Sequence, residues 1–112
     1  MSVIVKVLVP SLQMQAVQTT QYSPGPGISA IIDKATVTNT DTVARTFSAN
    51  IVPSGQSVGN ANLIIDDRAV QPGETYTCPE LVGQGLNSGD FISTIASAAA
   101  ALTLRVSGRE IT

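Results

Sequence analysis

Histidine and tryptophan are absent from this 112-residue chain, and cysteine occurs once, at Cys78. Without histidine, a serine or cysteine nucleophile lacks its usual base. One cysteine excludes an intramolecular disulfide and a zinc site built from several cysteines. Paired-carboxylate chemistry is not excluded by counting, but the few acidic residues lie mostly in predicted turns. The sequence therefore predicts no enzyme, no metal site and no cofactor, and it predicts that Cys78 is a small buried hydrophobe.

Charge is also scarce, because charged residues make up 12% of the chain against about 25% in a typical domain. The net charge is −2, the six basic residues are scattered, and aromatic residues make up 4%. Neither a basic stripe nor a stacking surface is present, so we expect no nucleic-acid partner. A surface poor in charge repels its neighbours weakly, which favours a protein that works in a packed assembly.

Long hydrophobic runs are missing too. The apolar stretch at residues 3–9 is interrupted by Lys6, and a membrane helix needs about 20 apolar residues. No basic region precedes the stretch, as it would in a signal peptide. We therefore expect no membrane partner and no targeting segment.

What the chain does contain is alternation with period 2, which is typical of half-buried β-strands. About eight such stretches are separated by turn signals rich in Gly, Pro, Asn and Asp. They lie at residues 3–9, 12–22, 28–40, 46–51, 63–70, 75–78, 91–95 and 102–107. This spacing predicts a single all-β domain, an antiparallel β-sandwich of jelly-roll type, with an immunoglobulin-like sandwich as the alternative.

Three details of the strands lead to specific expectations. Pro10 should end the first strand, whose two largely apolar faces indicate burial on both sides or contact with a neighbouring subunit. The apolar phase slips near Asp33, which predicts a β-bulge there. Asp66 and Asp67 should point to opposite faces as solvated groups, and not share a metal ion.

The turns and strand ends form a recognisable series. It consists of YSPGPG at 22–27, ATVTNT at 35–40, RTFS at 45–48, VQPGETY at 70–76, LNSGDFI at 86–92 and VSGREI at 106–111. This series, which covers residues 18–112, resembles a family of small β-sandwich virion modules of tailed bacteriophages. Members of that family decorate or cement capsids, or form parts of head and tail fibres, and the resemblance carries over no active site.

The resemblance implies a structural virion protein, most simply a capsid decoration or cement protein assembled in the cytoplasm of a bacterial host. The implied partners are the major capsid protein or other virion proteins, together with copies of itself. A fibre module that binds a receptor or carbohydrate, and a neck or tail connector, stay open as alternatives. Residues 1–17 are interpreted as a strand or attachment arm and residues 18–112 as the sandwich. The candidate contact residues lie in the first strand and in the polar loop at 53–62: Val3, Ile4, Val5, Val7, Leu8, Val9, Ser54, Gln56, Val58 and Asn60.

Overall fold

The computed structural model describes residues 2–112, and these contain nine β-strands, one 3₁₀ turn and no α-helix. The strands are β1 (Val3–Gln13), β2 (Thr19–Tyr22), β3 (Ser29–Asn39), β4 (Arg45–Val52), β5 (Leu63–Val70), β6 (Thr75–Tyr76), β7 (Gly85–Leu86), β8 (Phe91–Ala96) and β9 (Leu102–Ile111), and the 3₁₀ turn is Asn60–Asn62.

The strands form two sheets in which every pairing is antiparallel. The first sheet has the order β1-β9-β3-β6, with β7 also paired to β3, and the second has the order β2-β8-β4-β5. The predicted antiparallel β-sandwich is therefore confirmed. Its jelly-roll form stays a prediction that this order favours. In an immunoglobulin-type sandwich the first two strands share a sheet, whereas β1 and β2 lie in different sheets.

The core lies between the two sheets and is built from alternate residues of each strand. In β9, Leu104 and Val106 are buried while Arg105 is exposed, as the period-2 pattern predicts. From the second sheet, Phe47 and Ile92 belong to the same buried cluster. Burying side chains of this size contributes about 1.5–3 kcal/mol each, so the alternation is the main source of the fold's stability.

The bulge expected near Asp33 is present. The pairing of β3 with β9 shifts register between Ile32 and Lys34, which leaves Asp33 exposed at the irregularity. The Arg109 guanidinium donates to both Asp33 carboxylate oxygens, at 2.9 and 2.8 Å. The phase slip in the sequence was therefore a correct signal for this bulge.

Three expectations about the strands need correction. Pro10 does not end the first strand, because β1 is an edge strand and Pro10 lies within a register shift between Val9 and Leu12, where proline is tolerated. The stretch at 12–22 is two strand pieces separated by a bend. Cys78 is buried as expected, but its φ of 47° places it in a turn after β6 and not in a strand.

The predicted boundary between an arm at 1–17 and a sandwich at 18–112 falls in the turn between β1 and β2. Residues 3–13 are paired with β9 along the strand, so they are part of the first sheet, and Met1 lies outside the described residues. The role of this strand as an attachment arm stays a prediction.

Candidate docking surface

The most exposed apolar residues of β1 lie on the outer face of the first sheet. Val3, Val5 and Val7 pair with Ile111, Arg109 and Ser107 of β9, respectively, the residues that alternate with its buried positions. The relative exposure of Val5 is 84%, that of Val3 is 54% and that of Val7 is 38%. Three valines therefore project from one side of one strand into solvent.

The same valines carry free backbone groups. Ser2 and Thr112 donate to each other's carbonyl oxygens, at 3.1 and 2.9 Å, and so form a hydrogen-bonded pair. Because such pairs alternate along an antiparallel ladder, Ile4 and Lys6 direct their N–H and C=O groups towards β9. Val3, Val5 and Val7 direct theirs away from it.

On that far side of β1 the first sheet has no further strand within the described residues. Unpaired N–H and C=O groups along an edge strand are a template for adding another strand. We call Val3, Val5 and Val7 the valine edge, a surface that is both apolar and able to form hydrogen bonds.

A buried carboxylate supports the valine edge from the inner side of β1. Glu110 accepts a hydrogen bond from the Tyr22 hydroxyl at 2.5 Å, and its other oxygen lies 3.1 Å from the Lys6 ammonium. The hydrogen bond from Tyr22, and then Lys6, lower the pKa of Glu110 below its ordinary value. Burial, and then the bond to Glu110, raise the pKa of Tyr22.

This arrangement ties β1 and β9 of the first sheet to β2 of the second. Lys6 is the one charged residue between residues 3 and 9. Because Lys6 is paired within the chain, its charge is partly neutralised close to the valine edge.

Not every predicted contact residue lies on this surface. Leu8 and Val9 have relative exposures of 5% and 0%. Leu8 alternates with Val7 and therefore points inward, and the register shift between Val7 and Val9 turns Val9 inward as well. Their prediction as contact residues is corrected, since they are core residues of the folded chain. Ile4 is exposed but alternates with the valines, so its side chain points to the other side of β1.

The predicted loop residues are all exposed: Ser54, Gln56, Val58 and Asn60. The loop is held by two buried asparagines beneath it. Asn50 donates to the Gly59 carbonyl at 3.0 Å and to the Asn62 side-chain oxygen at 2.8 Å, and Asn62 donates to the Ser57 carbonyl at 2.9 Å. These bonds give a polar loop a defined shape, as a contact surface requires.

The loop lies at the same end of the sandwich as the start of β1 but on the other sheet. Val52, where the loop begins, pairs with Phe91, and the neighbouring Ile92 pairs with Tyr22, which contacts Glu110. The structure thus brings the three valines together and places the loop separately, beyond the third strand of the second sheet.

A shallow cavity that sequence reasoning missed lies on the outer face of the first sheet. Its volume is about 250 Å³, and its lining residues are Lys34, Thr36, Arg105 and Ser107. They come from neighbouring positions of β3 and β9, where Lys34 pairs with Ser107 and Thr36 with Arg105. The cavity presents two cations and two hydroxyl groups.

The one cysteine of the chain, Cys78, is fully buried. Burial, and then the charge of Glu80, raise the pKa of Cys78 to about 12, so its thiol stays protonated and weakly nucleophilic near neutral pH. Within residues 2–112 no three histidine, cysteine or acidic side chains are grouped to hold a metal ion. The same residues include no helix of the length and apolarity that would cross a membrane.

Comparison with known proteins shows that this chain is similar in fold to several solved structures. No family model matches the sequence, and no curated protein matches it either. A chain from Bacillus endospore appendages, described as disulfide-linked pili, superposes with a TM-score of 0.58 at 12% identity, covering 99% of this chain and 88% of that one.

Two viral structures are also similar. A chain from infectious bursal disease virus, Gx strain, superposes with a TM-score of 0.51 at 16% identity over 97% of this chain. A chain of the infectious bursal disease virus VP2 subviral particle superposes with a TM-score of 0.50 at 16% identity over 97% of this chain. This chain spans about a third of each viral chain, 32% and 31%. At these identities the likeness shows the β-sandwich fold.

Proposed function

We propose that this chain is a structural subunit of a protein assembly and has no enzymatic activity. The observation that carries the proposal is the valine edge, where the exposed side chains of Val3, Val5 and Val7 coincide with free backbone N–H and C=O groups. An unpaired apolar edge does not stabilise a monomer. Natural proteins usually protect the edges of their sheets with charged residues, proline or a covering segment. An open apolar edge therefore favours a protein that is completed by a partner.

The specific role we propose is that of a decoration or cement protein on the head shell of a tailed phage. The turn and strand-end series resembles phage virion modules, and the low charge suits close packing between subunits. Its partners would be the major capsid protein or other virion proteins, and its location would be the virion, after assembly in the host cytoplasm. The sandwich fold is compatible with this role, because shell and pilus proteins share it.

The pilus likeness does not carry its disulfide linkage to this chain. Cys78, the one cysteine, is fully buried, and its pKa is raised by burial. Oxidative cross-linking of folded subunits through Cys78 is therefore not expected, and assembly should be unaffected by a reducing agent.

Binding to undecorated capsids tests the role. Purified protein is mixed with expanded phage heads that lack decoration and, separately, with whole host cells, and bound protein is quantified. We expect saturable capsid binding that raises the melting temperature of the shell. Val5→Lys should weaken this binding, because it disrupts the edge through which the proposed assembly is completed. Val17→Lys is the matched control, because Val17 is also exposed, at 67%, but lies outside the valine edge.

Binding to cells and not to capsids would contradict decoration and identify a fibre module. The aromatic side chains argue against sugar stacking, since Phe47 and Tyr76 are buried while Tyr22 and Phe91 are only partly exposed. Binding confined to the neck or tail of the particle would identify a connector.

A further inference from the structure

The valine edge is distinguished from the other sheet edges by its lack of protection. β6 and β7 contain two residues each and β2 contains four, which limits what can pair with them. β5 is longer, but its pairing is shifted, it exposes Asp66, Asp67 and Arg68, and Asp67 has a φ of 45°. Short length, irregularity and charge are the devices that prevent edge pairing. β1 has its register shifts and Pro10 after Val7. Its regularly paired part, Val3–Val7, is therefore the longest edge segment among the described strands that lacks these devices at its outward-facing positions.

We propose that the partner of the valine edge is a second copy of this chain, paired antiparallel through β1 about a two-fold axis at Val5. This inference rests on the valine edge of the proposed function and names its occupant. The two first sheets then join into one continuous sheet across the dimer. Closed two-fold pairing is the commonest symmetry of soluble oligomers.

The register follows from the backbone and the charge. With Val5 opposite Val5 of the second copy, Val3 of each copy faces Val7 of the other. All three positions direct their N–H and C=O groups outward, so each pair exchanges both backbone hydrogen bonds. The valine side chains of both copies form one apolar block on the outer face, where β-branched cross-strand neighbours are favourable.

Pairing of the two copies is less favourable in the two neighbouring registers. A two-fold axis at Lys6 places the two ammonium groups directly opposite each other, which is repulsive. An axis at Ile4 pairs Val3 with Val5 but leaves Val7 opposite no valine. With the axis at Val5, Lys6 faces Ile4 of the other copy, and each Lys6 keeps its bond to its own Glu110. The strand is thus more self-complementary with the axis at Val5 than with an axis at either neighbouring residue.

Cysteine cross-linking tests both the pairing and its register. Cα atoms of a hydrogen-bonded antiparallel pair lie about 5.5 Å apart, within the range that a disulfide spans. Val5→Cys should therefore form a covalent dimer under mild oxidation, reversed by a reducing agent. Val17→Cys is the matched control and should form no covalent dimer, and buried Cys78 should contribute no background.

The register is tested with two further variants. Val3→Cys mixed with Val7→Cys should form a mixed disulfide dimer. Each variant alone should not, because identical positions then lie about 13 Å apart along the strands. Efficient cross-linking of Val3→Cys with itself would overturn the register.

Sedimentation of the protein without cysteine changes completes the test. We expect a concentration-dependent dimer, and Val5→Lys should raise its dissociation constant by roughly tenfold or more, because it places like charges opposite each other at the centre of the pairing. A monomer at every concentration, with cross-linking of Val5→Cys no greater than that of Val17→Cys, would overturn the proposal.

The two proposals can fail separately. A strictly monomeric protein whose capsid binding is lost in Val5→Lys would show that a shell protein occupies the edge, so self-pairing would fail and the structural role would stand. A dimer in the expected register without capsid binding would support self-pairing and contradict decoration.

Discussion

At the scale of single residues, Gly108 is the position where two strands leave no room for a side chain. A Cβ atom added there would overlap the Ile31 carbonyl oxygen and approach the Leu8 Cδ1 atom to 3.1 Å. Since the nearest obstacle is backbone, the strand itself must shift. We expect Gly108→Ala to lower the free energy of unfolding by about 1–3 kcal/mol, as overpacked positions do.

Urea denaturation measures this change, and Gly59→Ala is its control. Gly59 has an extended φ of −170° and no atom within 4 Å of the added Cβ, so its effect should stay within about 0.5 kcal/mol. Equal unfolding midpoints for the two variants would show that β9 and β3 have space to separate at Gly108.

At the scale of elements, β1 is divided into an exposed half and a buried half. Val5 is exposed and Val9 is fully buried, although both are valines of one strand. Val9→Ala should lower the free energy of unfolding by about 1–3 kcal/mol through lost burial and the cavity it leaves. Val5→Ala should change the monomer's stability by less than about 0.5 kcal/mol.

Thermal or urea unfolding at low protein concentration, where dimers dissociate, compares the two variants. Equal losses would mean that Val5 is buried within the single chain, which would remove the basis of the valine edge. The Val9 variant thus reports on the inner face of β1 and the Val5 variant on its surface.

At the scale of the whole molecule, Glu110 joins the two sheets, and this contact makes stability depend on pH. The pKa of Glu110 is lower in the folded chain, through Tyr22 and then Lys6, than the ordinary value of about 4.3 expected after unfolding. A group with a lowered folded pKa stabilises above its unfolded pKa, and this contribution is lost as pH falls through the folded value. We expect the contribution to be complete above about pH 5 and to decline below about pH 4.3.

Glu110→Gln should lower the free energy of unfolding at pH 7 by about 1.5–3 kcal/mol, the range for hydrogen bonds to charged groups. The difference from the unmodified protein should shrink towards acid pH, measured by urea unfolding at several pH values. Asp66→Asn, on the exposed edge of β5, is the control and should change the free energy of unfolding at pH 7 by less than about 0.5 kcal/mol. If the difference in free energy of unfolding between Glu110→Gln and the unmodified protein stayed constant as the pH is lowered, the charge of Glu110 would not contribute to stability.

Local patterns predicted much of the fold. The alternation at residues 102–107 correctly predicted a half-buried strand, in which Leu104 is buried and Arg105 exposed, and the phase slip correctly located the bulge at Asp33. The first strand was less predictable, because Pro10 normally ends a strand and is accepted only where the strand lies at an edge or a bulge. The exposure of the candidate contact residues was predicted in part, since the valines are exposed but Leu8 and Val9 are buried. Their role in contacts stays a prediction.

The sequence by itself determined the positions of most strands and turns, the apolar faces of strands such as β9, and that the usual bases and multi-cysteine ligands are missing. Only the tertiary structure decided that β1 pairs with β9, that Leu8 and Val9 turn inward, and that the valines direct their backbone groups outward. The physical reason is that the side-chain period of a strand is a local property. Its partner, its bulges and its position at an edge depend on contacts with residues about a hundred positions away, which no short stretch of sequence contains.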